Sequence, residues 1–493
     1  MMIGTILSRL LGLVRESVMA YLFGATPIYD AFLIAFLVPN LLRQLLAEGA
    51  LSSSFIPVFN ERLVKEGKDS AWRLFNLLLS TLLILFLALL LIGYLILPYL
   101  VKGLAPGFSL HTYRLCLSLS KITLPFIAFI SFAALSMGVL NSFGNFFIPG
   151  VAPAFFNISI IVLSLFFYKS LGIYSVALGA TIGGALQWVF QMVWLRKLGW
   201  QFRLIIDFKD EGLRKIGSMM LPLTLGLAIN QIQNLADRII ASLISPGGIS
   251  VLNYAFRLYQ LPMGIFAVSF STVALPLLSR DALAESLEEF EGTLSSALRL
   301  ALFVMVPASI FLFLFSDDLI KFLFYRGSFT HWAFKNTSMT LRFYSLGLAF
   351  AGLTHILLRG FYALKNTKTP VFIGIWVVSL NVILNFLFGK IFGPPGLALA
   401  TSVAFAVNFS LLRWKLLSYY KVNFRLVRFL GTLLFPSVIF GIALFFINRL
   451  CGGIIGILLS FPVALAYIWV CEKMKIEEAQ VFINRLRSLF ESR

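Results

Sequence analysis

The chain has 493 residues, 59% of them apolar and only 12% charged, with a mean hydropathy of +0.93. A soluble globular protein carries about twice that charged fraction, so a soluble enzyme or a nucleic-acid-binding domain is excluded as the main class. The formal charge of +19 therefore has to be explained within a membrane protein.

Helical spans are expected at about 3–24, 30–58, 74–101, 117–140, 150–168, 171–195, 215–243, 250–278, 292–316, 338–363, 370–390, 395–419, 427–448 and 452–472. The third is the plainest: residues 75–101 carry no charge, and about 20 apolar residues suffice to cross a bilayer. A transmembrane β-barrel would show segments of about ten residues with alternating polarity, and these segments do not. The expected fold class is an all-α polytopic membrane protein of about 14 helices. No cleavable leader is expected, because Arg9, Arg15 and Glu16 interrupt the first apolar stretch and no small-residue cleavage site follows it. Cys116, Cys451 and Cys471 lie in or beside apolar segments without metal-type spacing and read as packing residues.

An even number of spans puts both termini on one side. With the N-terminus inside, 25 of the 40 lysines and arginines fall in inner connections and the tail, and 10 in outer ones. The positive-inside rule then sets both termini in the cytoplasm, and the positive charge needs no nucleic acid. After residue 472, Ile476, Val481, Phe482, Leu486 and Leu489 recur near helical spacing. They predict an amphipathic helix on the inner membrane surface.

The chain resembles itself at an offset of 223: Arg15 falls on Arg238, Asp30 on Asn253 and Pro39 on Pro262. Span one then matches span seven, an even shift, so the copies run parallel. The expected organisation is an N-terminal lobe over 1–200, a C-terminal lobe over 201–422, and two extra helices with the tail over 423–493.

The other five basic residues, Arg9, Arg15, Arg43, Arg238 and Arg257, sit inside spans one, two, seven and eight, together with Glu16, Asp30, Glu48 and Asp237. An arginine at the bilayer centre costs about 2.5–3.5 kcal/mol on insertion scales, so such residues face a bundle interior or a wet cavity. Arg9, Gly12 and Glu16 share one face of span one, and Arg15 lies well round from Arg9. Glu48 is too far round the helix to neutralise Arg43. Asp30, at the start of span two, suits a helix N-terminus as well as it suits a substrate. Asp237 and Arg238 adjoin and do not share a face, and a structural role is expected for Arg238. Arg9, Arg15, Arg43 and Arg257 leave positive charge facing a cavity. The planar guanidinium matches phosphate oxygens in pairs. Pro39, Pro57, Pro262 and Pro276 interrupt spans two and eight at corresponding places, which gives either cavity-lining bends or ordinary kinks.

At these residues "SRLLGLVRE", "DAFLIAFLVPNLLRQLLAEGALSSSFIPVF" and "YAFRLYQLPMGIFAVSFSTVALPLLSR" resemble the signatures of the MurJ (MviN) family of bacterial lipid II flippases, in the exporter superfamily that also contains the MATE transporters and the polysaccharide flippases. The resemblance covers the whole chain. It implies transport of undecaprenyl diphosphate-linked disaccharide-pentapeptide from the inner to the outer leaflet of the cytoplasmic membrane by alternating access, with the lipid tail in a groove of spans thirteen and fourteen. It carries substrate-binding roles to Arg9, Arg15, Arg43 and Arg257, and the family's acidic positions to Asp30 and Glu48. It also implies a sodium site, for which Asp237, Asn381, Asn385 and Thr401 supply oxygens, with structural hydrogen bonding among these groups as the alternative reading. Further expected partners are membrane lipids and other cell-wall synthesis proteins. The chain departs from the family pattern at Glu16, Gln44, Phe256 and Asn385, so the charge around both sites is balanced differently. Rival readings are a MATE-type exporter, which should present more acids, and a polysaccharide-precursor (Wzx-like) exporter. A membrane enzyme is disfavoured by the scatter of His111, His331 and His355.

Overall fold

The computed structural model describes residues 2–44, 51–229, 231–284, 286–420 and 426–483. Helices α1 (Met2–Phe23), α2 (Pro27–Ala35), α3 (Leu37–Leu42), α4 (Leu51–Lys65), α5 (Lys68–Leu104), α6 (Leu110–Thr123), α7 (Phe126–Ser142), α8 (Phe147–Val151), α9 (Pro153–Leu171) and α10 (Tyr174–Lys197) come first. They are followed by α11 (Glu211–Ile229), α12 (Ile232–Ile244), α13 (Gly248–Pro262), α14 (Val268–Leu283), α15 (Leu287–Leu314), α16 (Ser316–Leu323) and α17 (His331–Ala363). The last are α18 (Lys368–Phe392), α19 (Pro394–Tyr420), α20 (Leu426–Leu450) and α21 (Gly453–Lys473). No strand occurs among the described residues. Among the described residues, eleven helical runs are long and apolar enough to cross a bilayer, which makes this a multi-pass membrane protein. They correspond to the expected spans other than one, two and seven. The stretches expected as those three carry intramembrane charges or are broken by short helices.

Proline explains several of the breaks, and neighbouring hydroxyls repair them. A proline leaves the carbonyl four residues earlier without its helical donor, a costly loss in lipid. Pro39 does this to Ala35, whose oxygen accepts from the Thr123 hydroxyl of α6 at 2.9 Å. Pro125 orphans Lys121, and Tyr94 donates to its oxygen at 3.1 Å. Pro307 orphans Phe303, and Tyr467 of α21 donates to it at 3.2 Å. The second proline-bearing span also changes winding: α13 passes through a π-helical turn, Met263–Ala267, into α14. In span two, Arg43 and Gln44 are likewise π-helical.

The chain forms two compact units, residues 1–250 with 327–329, and residues 251–326 with 330–493. The first packs Phe55, Phe59, Trp72, Phe75, Leu135 and Leu195 into its core. Its α9 and α10 touch backbone to backbone through Gly179 and Gly183. A Cβ there would lie 2.8 Å from the Ile160 Cα and 2.9 Å from the Phe156 Cα, the small-residue spacing that lets membrane helices approach closely. The segment after α10 is non-helical and is fastened to α5. Trp200 Nε1 donates to Asn76 Oδ1 at 2.9 Å, and Asn76 Nδ2 to the Gln201 carbonyl at 2.9 Å. The segment ends where Arg62 of α4 donates to both carboxylate oxygens of Asp210 at 2.8 Å.

The second unit is centred on α15 and α17, with Phe303, Phe315, Leu357, Phe361, Leu433, Leu444 and Cys471 in one core. Asp318 of α16 holds the final hairpin. It accepts the N–H of Gly453, at the start of α21, at 2.7 Å, and the side-chain amide of Asn448 on α20. The tail differs from its expected place on the membrane surface. Ile476 and Ala479 are buried in this core, and the Phe482 ring lies 6.0 Å from that of Phe303. Arg299 of α15 pairs with Glu478 at 2.8 Å. The apolar face thus finds a protein partner before it meets lipid. Leu486 and Leu489 lie outside the described residues.

Candidate functional site: charged groups within the spans

Charges in α1 are handled by a local network. Arg15 Nη2 donates to Glu16 Oε1 at 2.5 Å, and Tyr29 of α2 donates its hydroxyl to Glu16 Oε2 at 2.9 Å. The Arg15 guanidinium lies 5.5 Å from the centre of the Phe156 ring, within cation–π range. Both Arg15 and Glu16 are buried, at 9% and 1% exposure. Adjacent helical residues point about 100° apart, so the sequence placed Glu16 on the face of Arg9. The long arginine side chain spans that angle, and Tyr29 and Phe156 complete the surroundings. Neither aromatic residue carries a sequence signal that would have marked it. The side chain of Arg9 and the whole of Glu48 lie outside the described residues.

Asp30 is a cap, but for a helix far from its own. Its Oδ2 accepts the N–H of Gly247 at 2.7 Å. Its Oδ1 accepts from the N–H of Ser250 at 2.8 Å and from the Ser250 hydroxyl at 2.5 Å. These are the first orphan donors of α13, which gain most from an anion at the positive end of the helix. In this conformation the carboxylate holds three donors from a helix more than 200 residues away. Arg43, at the π-helical end of α3, is half-buried and donates Nε to Asn40 Oδ1 at 3.1 Å. Asp237 and Arg238 on α12 and Arg257 on α13 are half-buried as well.

Of the oxygens named for a cation, Asn381 and Asn385 are fully buried on α18, and Thr401 is buried on α19. Asn385 Nδ2 donates to Asn381 Oδ1 at 3.1 Å, and Thr401 donates to the Leu397 carbonyl at 2.9 Å. Among the described residues no three His, Cys, Asp or Glu side chains gather as a metal site. The neutral amide and hydroxyl oxygens of Asn381, Asn385 and Thr401 fit a monovalent hard cation better than a divalent one, which recruits several carboxylates.

Helices of this length, two helix-rich units and arginines held within apolar spans define a polytopic α-helical membrane protein. Its fold matches a MATE transporter of the MOP superfamily in an inward-facing conformation, with a TM-score of 0.71 over 84% of this chain and 96% of that one at 16% identity. The particular family is resolved by closer relatives. A family model described as lipid II flippase MurJ matches residues 19–461. A probable lipid II flippase MurJ of Thermotoga maritima is 33% identical over 98% of this chain and 97% of its own. The corresponding protein of Buchnera aphidicola subsp. Schizaphis graminum is 36% identical over 86% and 84%. A structure of lipid II flippase MurJ in an inward closed conformation matches with a TM-score of 0.82 at 31% identity, covering 96% of this chain and 99% of that one. The chain belongs to the MurJ lipid II flippase family.

Proposed function

We infer that the chain carries lipid II from the inner to the outer leaflet of the bacterial cytoplasmic membrane. The observation that carries this reading is the family match over nearly the whole length, together with guanidiniums retained inside apolar spans. Arg9, Arg15, Arg43 and Arg257 are the proposed contacts of the diphosphate during the transport cycle. Their charge offsets that of the phosphates, and the fork geometry suits paired phosphate oxygens. Asp30 enters the cycle as the cap of α13 rather than as a ligand, and its release of Gly247 and Ser250 would accompany movement of that helix. Access alternates between leaflets while the undecaprenyl chain stays in lipid. Both termini are proposed to face the cytoplasm, on the excess of lysine and arginine in inner connections.

Sodium is the proposed coupling ion, with Asp237, Asn381, Asn385 and Thr401 as ligands. Bound there, it would supply positive charge that responds to membrane potential at about 2.3 kcal/mol per charge per 100 mV. Support for this reading is the buried, oxygen-bearing Asn381–Asn385 pair.

The test is leaflet exchange of lipid II in proteoliposomes, compared with undecaprenyl phosphate-linked sugars, with and without sodium and potential. Arg43→Ala is expected to lower lipid II exchange about tenfold to a hundredfold, the worth of one charge-assisted contact. Unchanged exchange, and normal growth of a cell whose only copy carries the substitution, would remove Arg43 from the mechanism.

A further inference from the structure

Residues 200–210, "WQFRLIIDFKD", join α10 to α11 as a segment that is neither helix nor strand. Four large apolar residues recur in it at every second position, and all are exposed: Phe202 at 53%, Leu204 at 63%, Ile206 at 53% and Phe208 at 60%. A water-bathed connection has no reason to present such a stripe, which marks a contact surface of another kind.

Its depth identifies the contact. The segment lies along α5, bonded through Trp200 and Gln201 to Asn76, and through the Ile205 N–H to Ser80 Oγ at 3.2 Å. Asn76 and Ser80 are buried, at 3% and 0% exposure. Arg73 is the last charge of α5 before its charge-free run. Ser80 lies seven residues further on, about 10 Å along the axis, already inside the apolar stretch of the span. The polar groups of α5 at this depth are therefore covered by the segment, whose own apolar side chains face outward. An interfacial element buries its apolar face about 5–10 Å into the headgroup and acyl boundary, which agrees with this position.

Charge gives the same answer. Arg196, Lys197, Arg203, Lys209 and Arg214 flank or interrupt the stripe and are exposed. The Lys197 ammonium stands 4.2 Å from the centre of the Trp194 ring, an amphipathic pair of the sort found at headgroup level. Each basic residue near an anionic leaflet is worth about 1 kcal/mol.

We propose that residues 200–210 form a lipid-seated strap: Phe202, Leu204, Ile206 and Phe208 insert among the acyl chains of the inner leaflet, and the flanking basic residues bind anionic phospholipid headgroups. The strap turns back to water at Asp210, where Arg62 receives it. Its occupant is thus bulk membrane lipid, distinct from the transported substrate.

The experiment places an environment-sensitive fluorophore on single cysteines at Leu204 and Ile206 in the full-length Cys451→Ser protein, since Cys451 is the exposed native thiol and Cys116 and Cys471 are buried. The labelled protein is reconstituted into phosphatidylethanolamine–phosphatidylglycerol vesicles. Leu87 on α5, exposed on a span, serves as the lipid reference, and Lys65, exposed beyond the end of span two, as the aqueous one. The expected result is loss of fluorescence to bromine-labelled lipids at 204 and 206 matching that at 87, with little loss to aqueous iodide. Replacing phosphatidylglycerol by phosphatidylcholine is expected to weaken the lipid quenching at both positions. Iodide quenching like that at 65, or shielding from both quenchers, would overturn the proposal. Labels at Phe202 and Phe208 give the same reading if either first variant fails to fold.

Discussion

Each unit ties a segment from outside its spans to a helix with an arginine–carboxylate pair. In the first, Asp210 at the end of the strap meets Arg62; in the second, Glu478 of the tail meets Arg299. The contacts are alike in length, at 2.8 Å each, yet the two acids ionise in opposite senses. Burial works against the charge of Asp210, but two bonds from Arg62 and one from the Leu213 N–H, at the start of α11, outweigh it, and its carboxyl is held below the usual range. Burial also dominates at Glu478, where the Arg299 charge offsets only part of it and Glu477 adds repulsion, so that carboxyl is raised. An arginine beside an acid does not by itself set its charge; the number of donors aimed at the oxygens does.

The sharpest break in this comparison is Arg62→Ala, which strands a half-satisfied carboxylate. It is expected to cost about 2–3 kcal/mol of stability, read as a lower melting temperature in detergent. Asp30→Ala extends the comparison to a carboxylate held by three donors from the start of α13. Loss of the α13 cap should cost about 1–2 kcal/mol, read in the same assay.

The opposite ionisation yields opposite pH behaviour. Asp210, with its folded value depressed, contributes stability that is present above the ordinary carboxylate range and is lost as pH falls through the folded value. Glu478, with its folded value raised, takes up a proton more readily when folded, so its contribution weakens as pH rises from the ordinary carboxylate value through the folded one. Asp210→Asn should therefore lower the melting temperature at pH 8 and converge on wild type in acid. Glu478→Gln should raise it slightly at pH 8, and that gain should likewise vanish in acid. Equal signs for the two variants at pH 8 would break the contrast.

The smallest effect belongs to the exposed pairs around Glu61. Hydrogen bonds from Lys215 and Lys65 hold its carboxyl down to about 2, but water and salt screen such contacts. Glu61→Gln is expected to change the melting temperature marginally at low salt and not at all at high salt. A salt-resistant loss would show that Glu61 belongs with Asp210.

Much of this was legible in the sequence, because bilayer thickness imposes a length and an apolarity that few other environments demand. The eleven spans found among the described residues follow from that constraint alone. What escaped is polar and depends on distant partners. Nothing near Asp30 announces Gly247 and Ser250, and nothing near Phe303 announces Tyr467. Arg15 and Glu16 adjoin in the chain, which helical geometry alone treats as unfavourable for pairing. The alternation of Phe202, Leu204, Ile206 and Phe208 is visible in the sequence, but it is too short and too closely flanked by basic residues to stand out as a span. Of the tail's periodic positions, Ile476 and Phe482 pack on the core while Val481 is exposed, an arrangement that only the packing decides.

Asp318 has a consequence for how the polypeptide is made. It leaves the ribosome 130 residues ahead of Asn448 and 135 ahead of Gly453, a delay of roughly 6 to 26 seconds at ordinary synthesis rates. Through that interval the acid waits for its two donors, and Phe303 and Phe315 wait for the closing hairpin. A nascent chain arrested before residue 453 would present an open apolar seam beside an unmatched charge, the kind of lesion that membrane-embedded proteases remove.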